Sequence, residues 1–129
     1  MVLNPFIVHG QAYGGIAQGI GQALTEAIVY DENGQLLSAS YMDYAMPKAH
    51  HMVHVDGDFN IIPCKTNPMG VKGAGEAGAT GAPPAIVSAV VDALKGYGIR
   101  HIDMPLTPDR VWAAIQAADT QAGKKKRAA

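Results

Sequence analysis

The chain has 129 residues, of which 48% are hydrophobic and 16% are charged, and these values suit one folded domain rather than a disordered chain. The formal net charge of −1 gives no reason to expect nucleic acid or an acidic membrane surface as a partner. The single cysteine, Cys64, excludes an internal disulfide and an iron–sulfur cluster held by cysteines of this chain alone, because such a cluster needs several thiolates.

The first predicted element is a helix over residues 11–26, where apolar side chains recur at helical spacing. Glycines at positions 14, 15, 19 and 21 interrupt this helix, and each costs roughly 1 kcal/mol relative to alanine. We therefore expect another backbone or a ligand to approach the glycine-bearing face closely.

Strands are predicted next. Residues 27–30 and 35–40 read as the two arms of a hairpin, because Asn33-Gly34 favours a tight turn between strands. Residues 53–58 and 99–103 are further strand candidates. The predicted fold class is therefore α+β, with helices packed on a small, mostly antiparallel sheet.

Two helices are predicted in the second half. Pro83 and Pro84 suit the first turn of a helix over residues 85–94, which is apolar nearly all round and should be buried. A buried strand is the competing interpretation of that segment. Thr107 and Pro108 predict the start of a last helix that runs to about Ala118. Residues 119–129, with their run of basic side chains, predict a disordered basic tail.

The glycine loop, residues 70–78, contains glycines at 70, 73, 75 and 78 and two charged side chains, Lys72 and Glu76. Glycines there allow a ligand to approach the main chain. In the alternative interpretation this is a plain connection whose Glu76 is solvated or caps the next helix. The spacing also matches the glycine pattern of dinucleotide-binding domains, but neither a preceding buried strand nor a following acidic residue accompanies it.

Two other groups of polar residues are candidates for a site. Gln11 stands at the start of the first glycine cluster, where its amide can donate and accept hydrogen bonds to a heterocycle or an oxo group. His50, His51 and His54 are close in sequence, but no helical face aligns them, and we assign no metal site to them.

Several motifs, in order and at matching spacing, resemble the molybdenum-binding large subunits of the xanthine dehydrogenase, aldehyde oxidase and carbon monoxide dehydrogenase family. They are Gly10-Gln11-x-x-Gly14-Gly15-x-x-Gln18-Gly19-Ile20-Gly21, Asn67-Pro68-Met69-Gly70-Val71-Lys72-Gly73-x-Gly75-Glu76-Ala77-Gly78 and Gly81-Ala82-Pro83-Pro84. The resemblance covers residues 3–118 and matches the C-terminal part of such a subunit, so residues 1–118 are expected to be a portion of a molybdopterin-binding domain.

The resemblance implies roles for four residues. Glu76 is expected to be the general base that takes a proton from a molybdenum-bound hydroxyl group, and Gln11 is expected to lie against the molybdopterin. Gly75 and Lys72 are expected to support the cofactor or the loop. The implied cofactor is molybdenum–molybdopterin, with iron–sulfur clusters and FAD on other chains or domains.

The leading hypothesis is that the chain is a C-terminal segment or split subunit of a molybdenum hydroxylase. It would be an oxidoreductase only when assembled with its partners, which are the upstream part of the large subunit and the iron–sulfur and flavin subunits. Its substrate would be an aldehyde, an N-heterocycle or a related small molecule. The alternative is a non-catalytic remnant or interaction module without cofactor. No leader or membrane-spanning stretch is visible, so we expect a cytoplasmic protein, and the isolated chain is expected to self-associate.

Overall fold

The computed structural model describes the backbone of residues 2–127 and the side chains of residues 2–120. It contains three α-helices, α1 (Pro5–Leu24), α2 (Ala77–Ala93) and α3 (Pro108–Arg127). Two short 3-10 turns lie at Ala49–His51 and Lys95–Tyr97. In this part of the chain, no helix is long and apolar enough to cross a membrane.

Helix α1 begins earlier than the apolar spacing predicted. The Asn4 side chain caps it by accepting a hydrogen bond from the Ile7 backbone N–H at 3.1 Å, and Pro5 follows in the first turn, where its missing N–H leaves no helical hydrogen bond unmade. Gln11 therefore lies inside the helix rather than at its start. The helix ends at Leu24, after which the Thr25 N–H bonds to the Gly21 carbonyl at 3.0 Å.

Helix α1 packs closely on helix α2 at the glycines. A Cβ atom added to Gly15 would lie 2.7 Å from the Ala79 nitrogen, and one added to Gly19 would lie 2.5 Å from the Ala82 Cβ. Only glycine fits at such a distance. The expectation of a close approach to this face is confirmed at Gly15 and Gly19, whereas a Cβ atom added to Gly14 would have no atom of another element within 4 Å.

Helix α2 begins at Ala77, so the prediction that Pro83 and Pro84 stand in its first turn is wrong. Both prolines lie inside the helix, although each removes an intrahelical hydrogen bond. Pro83 is buried and its Cδ faces Gly19, so tertiary packing offsets the local cost. The helix is also less buried than its composition predicted, since Ala85, Ala89 and Ala93 are exposed.

The predicted hairpin is represented by one isolated antiparallel bridge between Tyr30 and Leu36. The Asp31 carboxylate accepts from the Asn33 and Gln35 backbone N–H groups, both at 2.8 Å, and Gly34 has a φ of 79°, which suits glycine in a turn. Residues 53–58 and 99–103 have no regular secondary structure. The antiparallel sheet and the α+β class stay predictions.

Helix α3 begins at Pro108, after Thr107, as the capping pattern predicted. A hydrogen bond from Thr107 lowers the pKa of Asp109 in the first turn. The helix continues past the predicted end at Ala118 to Arg127. The predicted basic tail at residues 119–129 lies largely outside the described side chains and stays a prediction.

The core is small. In the described part of the chain, the buried apolar side chains are Ala23, Leu94 and Leu106, together with Pro83 of α2. The Leu106 N–H donates to the Ala23 carbonyl at 2.6 Å. Large apolar side chains are highly exposed elsewhere, with Phe6 at 87%, Tyr41 at 88% and Met42 at 96%. This part of the fold leaves much of its apolar surface in contact with solvent.

Candidate functional site

A cleft of about 670 Å³ lies between the start of α1, the segment at residues 58–62 and the glycine loop. Its polar lining includes Gln11 from α1 and Lys72 from the loop. Residues 70–75 form one wall, and Ile7, Val8 and Ile61 are among the apolar residues of the lining. A cleft with mostly apolar walls and a few polar groups is the usual form of a ligand site.

The side chain of Asn67 holds the glycine loop in shape. Its Nδ2 donates to the Val71 carbonyl at 3.0 Å, and its Oδ1 accepts from the Val71 N–H at 3.2 Å. The Cys64 N–H donates to the Gly70 carbonyl at 3.0 Å. Gly70 has a φ of 66°, a left-handed conformation that side chains other than glycine rarely adopt.

The wall opposite the glycine loop is held to α1 by aromatic side chains. The Tyr13 hydroxyl donates to the Val55 carbonyl. The His9 ring lies 4.6 Å, between centroids, from the ring of Phe59, which lines the cleft. These contacts fix residues 55–59 against the first half of α1 without any strand pairing.

Gln11 and Gly75 meet in the lining of the cleft. The Gln11 Oε1 lies 3.7 Å from the position that a Cβ on Gly75 would occupy, which is ordinary van der Waals contact. Lys72 also lines the cleft. The structure therefore brings together three of the four residues that the sequence predicted for the site.

Glu76, the fourth, follows Gly75 directly and stands at the N-terminal end of α2. Glu76 is the N-cap residue of α2. Its side chain is exposed and makes no capping hydrogen bond, which agrees with the alternative interpretation in which Glu76 is solvated. Its backbone carbonyl accepts from the Thr80 N–H and hydroxyl, both at 3.0 Å. Glu76 is at the rim of the cleft and not among its lining residues.

Cys64 lies at the base of the glycine loop. Its Sγ is 3.0 Å from the Thr66 hydroxyl oxygen, and this hydrogen bond is the main cause of a pKa held below the usual value of a thiol. The positive charge of Lys72 acts in the same direction with a smaller effect. Hydrogen bonds to the thiolate and a nearby cation both favour the charged form.

The three closely spaced histidines do not converge on one point in space. His50 and His51 lie side by side, with ring centroids 4.3 Å apart. His54 pairs instead with Asp56 at 3.0 Å. Within the described residues, no group of three or more side chains is arranged to hold a metal ion.

The sequence missed three residues that shape the site. Asn67 stood in a quoted motif, but its role as a clamp was not predicted, although an Asn-Pro pair followed by glycine is a turn signal. Tyr13 and His9 were missed because their partners, Val55 and Phe59, lie more than forty positions away in the sequence. Only the tertiary structure reveals these partners.

Comparison with known proteins gives the chain its family. The model of the family described as "Molybdopterin cofactor-binding domain" matches residues 1–53. The carbon monoxide dehydrogenase large chain of Hydrogenophaga pseudoflava is 37% identical over 114 residues, which cover 88% of this chain and 14% of that protein. The nicotine 6-hydroxylase large subunit of Paenarthrobacter nicotinovorans is 40% identical over 120 residues, which cover 90% of this chain and 14% of that one.

A solved structure agrees in fold. Quinoline 2-oxidoreductase from Pseudomonas putida 86 superimposes with a TM-score of 0.85 at 41% identity, over 88% of this chain and 14% of the other. The chain belongs to the molybdenum hydroxylase family. The recognition made from the glycine motifs is confirmed, and so is molybdenum–molybdopterin as the cofactor of this family.

The chain spans about 14% of the length of these molybdenum hydroxylase relatives. A match over 88% of this chain leaves only residues near its ends uncovered, so it includes the glycine loop. The chain thus corresponds to a domain portion of a molybdenum hydroxylase large subunit.

Proposed function

We propose that the chain is the C-terminal segment, or a separately encoded C-terminal subunit, of a molybdenum hydroxylase and forms one wall of its cofactor site. The observation that carries this proposal is the meeting of Gln11 with Gly75, next to Glu76, in the lining of a single cleft. Residues from two distant motifs converge there, although more than sixty positions separate them in the sequence.

The donor groups of the cleft fit molybdopterin, which carries a heterocycle and a phosphate. Gln11 supplies an amide that can donate and accept, Lys72 supplies a cation, and the glycine loop supplies backbone close to the cleft. Nothing lies within 4 Å of where a Cβ on Gly73 would be, so the main chain is open to a ligand there. Gln11, Lys72 and the backbone at Gly75 would hold the cofactor.

When bound, molybdenum–molybdopterin supplies the two-electron oxidation that accompanies hydroxylation with water-derived oxygen. The protein's own contribution is Glu76, which we propose accepts the proton released from the attacking hydroxyl group. Glu76 stands directly before the first residue of α2. Its exposure leaves the carboxylate accessible to a site completed by other polypeptide.

The assembled enzyme would contain the upstream part of the large subunit together with iron–sulfur and flavin subunits, which accept the electrons in sequence. The substrate would be an aldehyde, an N-heterocycle or a related small molecule. We place the enzyme in the cytoplasm. In the assembled subunit we also propose that residues around Tyr30 and Leu36 extend their single bridge into the predicted antiparallel sheet.

A second candidate is a non-catalytic module that keeps the fold and binds no cofactor. One observation favours it, because Glu76 stands at the rim and not in the lining of the cleft. A remnant of this kind would still associate with other polypeptide through its exposed apolar side chains.

A chimeric large subunit separates the two candidates. In the nicotine 6-hydroxylase large subunit, the matching segment is replaced by this chain, and molybdenum content and dye-coupled oxidation of aldehydes and N-heterocycles are measured. We expect molybdenum at the level of the parent enzyme and turnover of at least one substrate class. A folded chimera without molybdenum would refute the proposal and favour the non-catalytic module.

A further inference from the structure

The contact between Gly15 on α1 and Gly78 on α2 lies beside the two residues proposed to act on the cofactor. Gln11, Gly15 and Gly19 follow at intervals of four residues and therefore share one face of α1. Gly15 is about 6 Å along the helix axis from Gln11, and Gly78 is two residues after Glu76. A contact between two glycines thus lies close to both functional side chains.

The two backbones touch directly at this point. A Cβ on Gly78 would lie 2.7 Å from the Ile16 nitrogen and would press on the Ala12 carbonyl oxygen. A Cβ on Gly15 would lie 2.7 Å from the Ala79 nitrogen and 2.9 Å from the Gly78 Cα. These neighbours are main-chain atoms of two helices and cannot rotate away. Because non-bonded heavy atoms prefer roughly 3.5–4.0 Å, a methyl group at either position must push the helices apart by on the order of 1 Å.

We propose that Gly15 and Gly78 are positioning residues, which set the distance between Gln11 and Glu76 by direct backbone contact. This inference rests on the proposed function, because it concerns where the proposed base stands relative to the cofactor-binding amide. Glu76 makes no side-chain capping bond that would hold it independently. The position of Glu76 therefore depends on the position of the first turn of α2, and the contact with Gly15 fixes that turn.

The chain provides matched controls. Gly81 lies on the same helix as Gly78, with nothing within 4 Å of an added Cβ. Gly19 is as crowded as Gly15, with an added Cβ 2.9 Å from the Pro83 Cδ, but it lies one helical turn farther from Gln11. Gly81→Ala therefore reports the effect of alanine alone, and Gly19→Ala reports the effect of general crowding between the helices.

The experiment measures kcat, KM and molybdenum content of the chimeric enzyme for Gly78→Ala, Gly15→Ala, Gly19→Ala and Gly81→Ala. We expect Gly78→Ala and Gly15→Ala to lower kcat about 10-fold to 100-fold, as misplacement of a catalytic group by about 1 Å does, with KM and molybdenum content retained. Gly81→Ala should leave all three values unchanged. Gly19→Ala should lower kcat by a clearly smaller factor.

A second readout needs no cofactor. Spin labels at Gln18 on α1 and Ala85 on α2, both exposed, are introduced into the full chain carrying Cys64→Ser, and their separation is measured by pulsed electron paramagnetic resonance. Gly78→Ala should lengthen this distance, whereas Gly81→Ala should not. An unchanged distance in folded Gly78→Ala would overturn the inference.

Other outcomes are equally decisive. Equal loss of kcat in Gly19→Ala and Gly78→Ala would show that the loss comes from general disturbance of helix packing, and it would overturn the positioning role. Failure of both Gly15→Ala and Gly78→Ala to fold, with Gly19→Ala folded, would also overturn it in favour of a folding requirement. If Glu76→Gln is inactive while Gly78→Ala has the kcat of the parent chimera, only the positioning role of the two glycines is wrong. If Glu76→Gln is fully active, the proposed function itself is wrong.

Discussion

Cys64 illustrates how the glycine loop controls the chemistry of a single side chain. Because the Thr66 hydrogen bond and the Lys72 charge lower its thiol pKa, the thiolate fraction at a given pH is larger than for an ordinary cysteine. We expect alkylation of Cys64 by iodoacetamide to reach its half-maximal rate at a pH below the usual thiol pKa.

Variants of its neighbours test this account. Thr66→Val should move the half-maximal pH upward, and Lys72→Met should move it upward by less, because the hydrogen bond is the larger cause. The rate is followed by mass spectrometry of the single alkylated site. A pH profile that is identical in the chain and in Thr66→Val would contradict the assigned cause.

Asn67 makes two hydrogen bonds to Val71, and at about 0.5–1.5 kcal/mol each they stabilise the closed loop by about 1–3 kcal/mol. We expect Asn67→Ala to open the loop and increase the hydrogen-exchange rate of the Val71 amide. Asn67→Asp keeps the acceptor for the Val71 N–H and loses the donor, so its effect should be intermediate. Equal exchange rates in all three proteins would show that Asn67 does not clamp the loop.

For single residues, the sequence predicted which of them share the cleft better than it predicted where each one stands. Gln11, Lys72 and Gly75 meet at the cleft as the motifs suggested, because the family resemblance links residues that are distant in the sequence. The position of Glu76 at the rim could not be predicted, since it depends on where α2 begins.

The first residues of the helices show which helix boundaries depend on local sequence and which depend on tertiary packing. The start of α3 was predicted correctly because Thr107 and Pro108 act within one turn. The start of α2 was predicted wrongly because Pro83 and Pro84 disfavour a helix interior locally, and only the contact of Pro83 with Gly19 on another helix offsets that cost. The sequence predicted that another element approaches the glycine face of α1 closely, but it did not predict that this element is α2.

Neighbouring glycines of α1 allow a direct test of this packing. Gly14 has open space around it and Gly15 does not. Gly14→Ala should therefore raise the free energy of unfolding of the chain by up to about 1 kcal/mol, whereas Gly15→Ala should lower it because the helices must separate. Chemical denaturation followed by circular dichroism measures both. Two substitutions with the same sign would contradict the assigned packing.

The whole molecule exposes far more surface than a folded protein of its size. Its accessible surface is 9934 Å², about half as much again as the roughly 6,500 Å² expected for a compact monomer of 13.5 kDa. Side chains such as Phe6, Tyr41 and Met42 make up part of the excess. Exposed apolar area on this scale is typical of surfaces that pack on other polypeptide.

We therefore expect the isolated chain to self-associate as its concentration rises and to bind a hydrophobic dye. Light scattering coupled to size-exclusion chromatography gives the mass, and dye fluorescence reports the exposed apolar surface. In the chimeric large subunit, where the same side chains would be covered, both signals should fall to those of the parent protein. A monodisperse monomer with low dye binding would count against burial by other polypeptide.

In the proposed function, Glu76 is the base of a cofactor site completed by other polypeptide. This role of Glu76 can be tested on its own. The most direct measurement is the rate at which substrate reduces the cofactor of the chimeric enzyme in a single turnover. This rate is compared between the parent chimera and its Glu76→Gln variant at equal molybdenum content. We expect the substitution to lower this rate by about 100-fold or more, as loss of a general base does. An unchanged rate at full molybdenum occupancy would contradict the account.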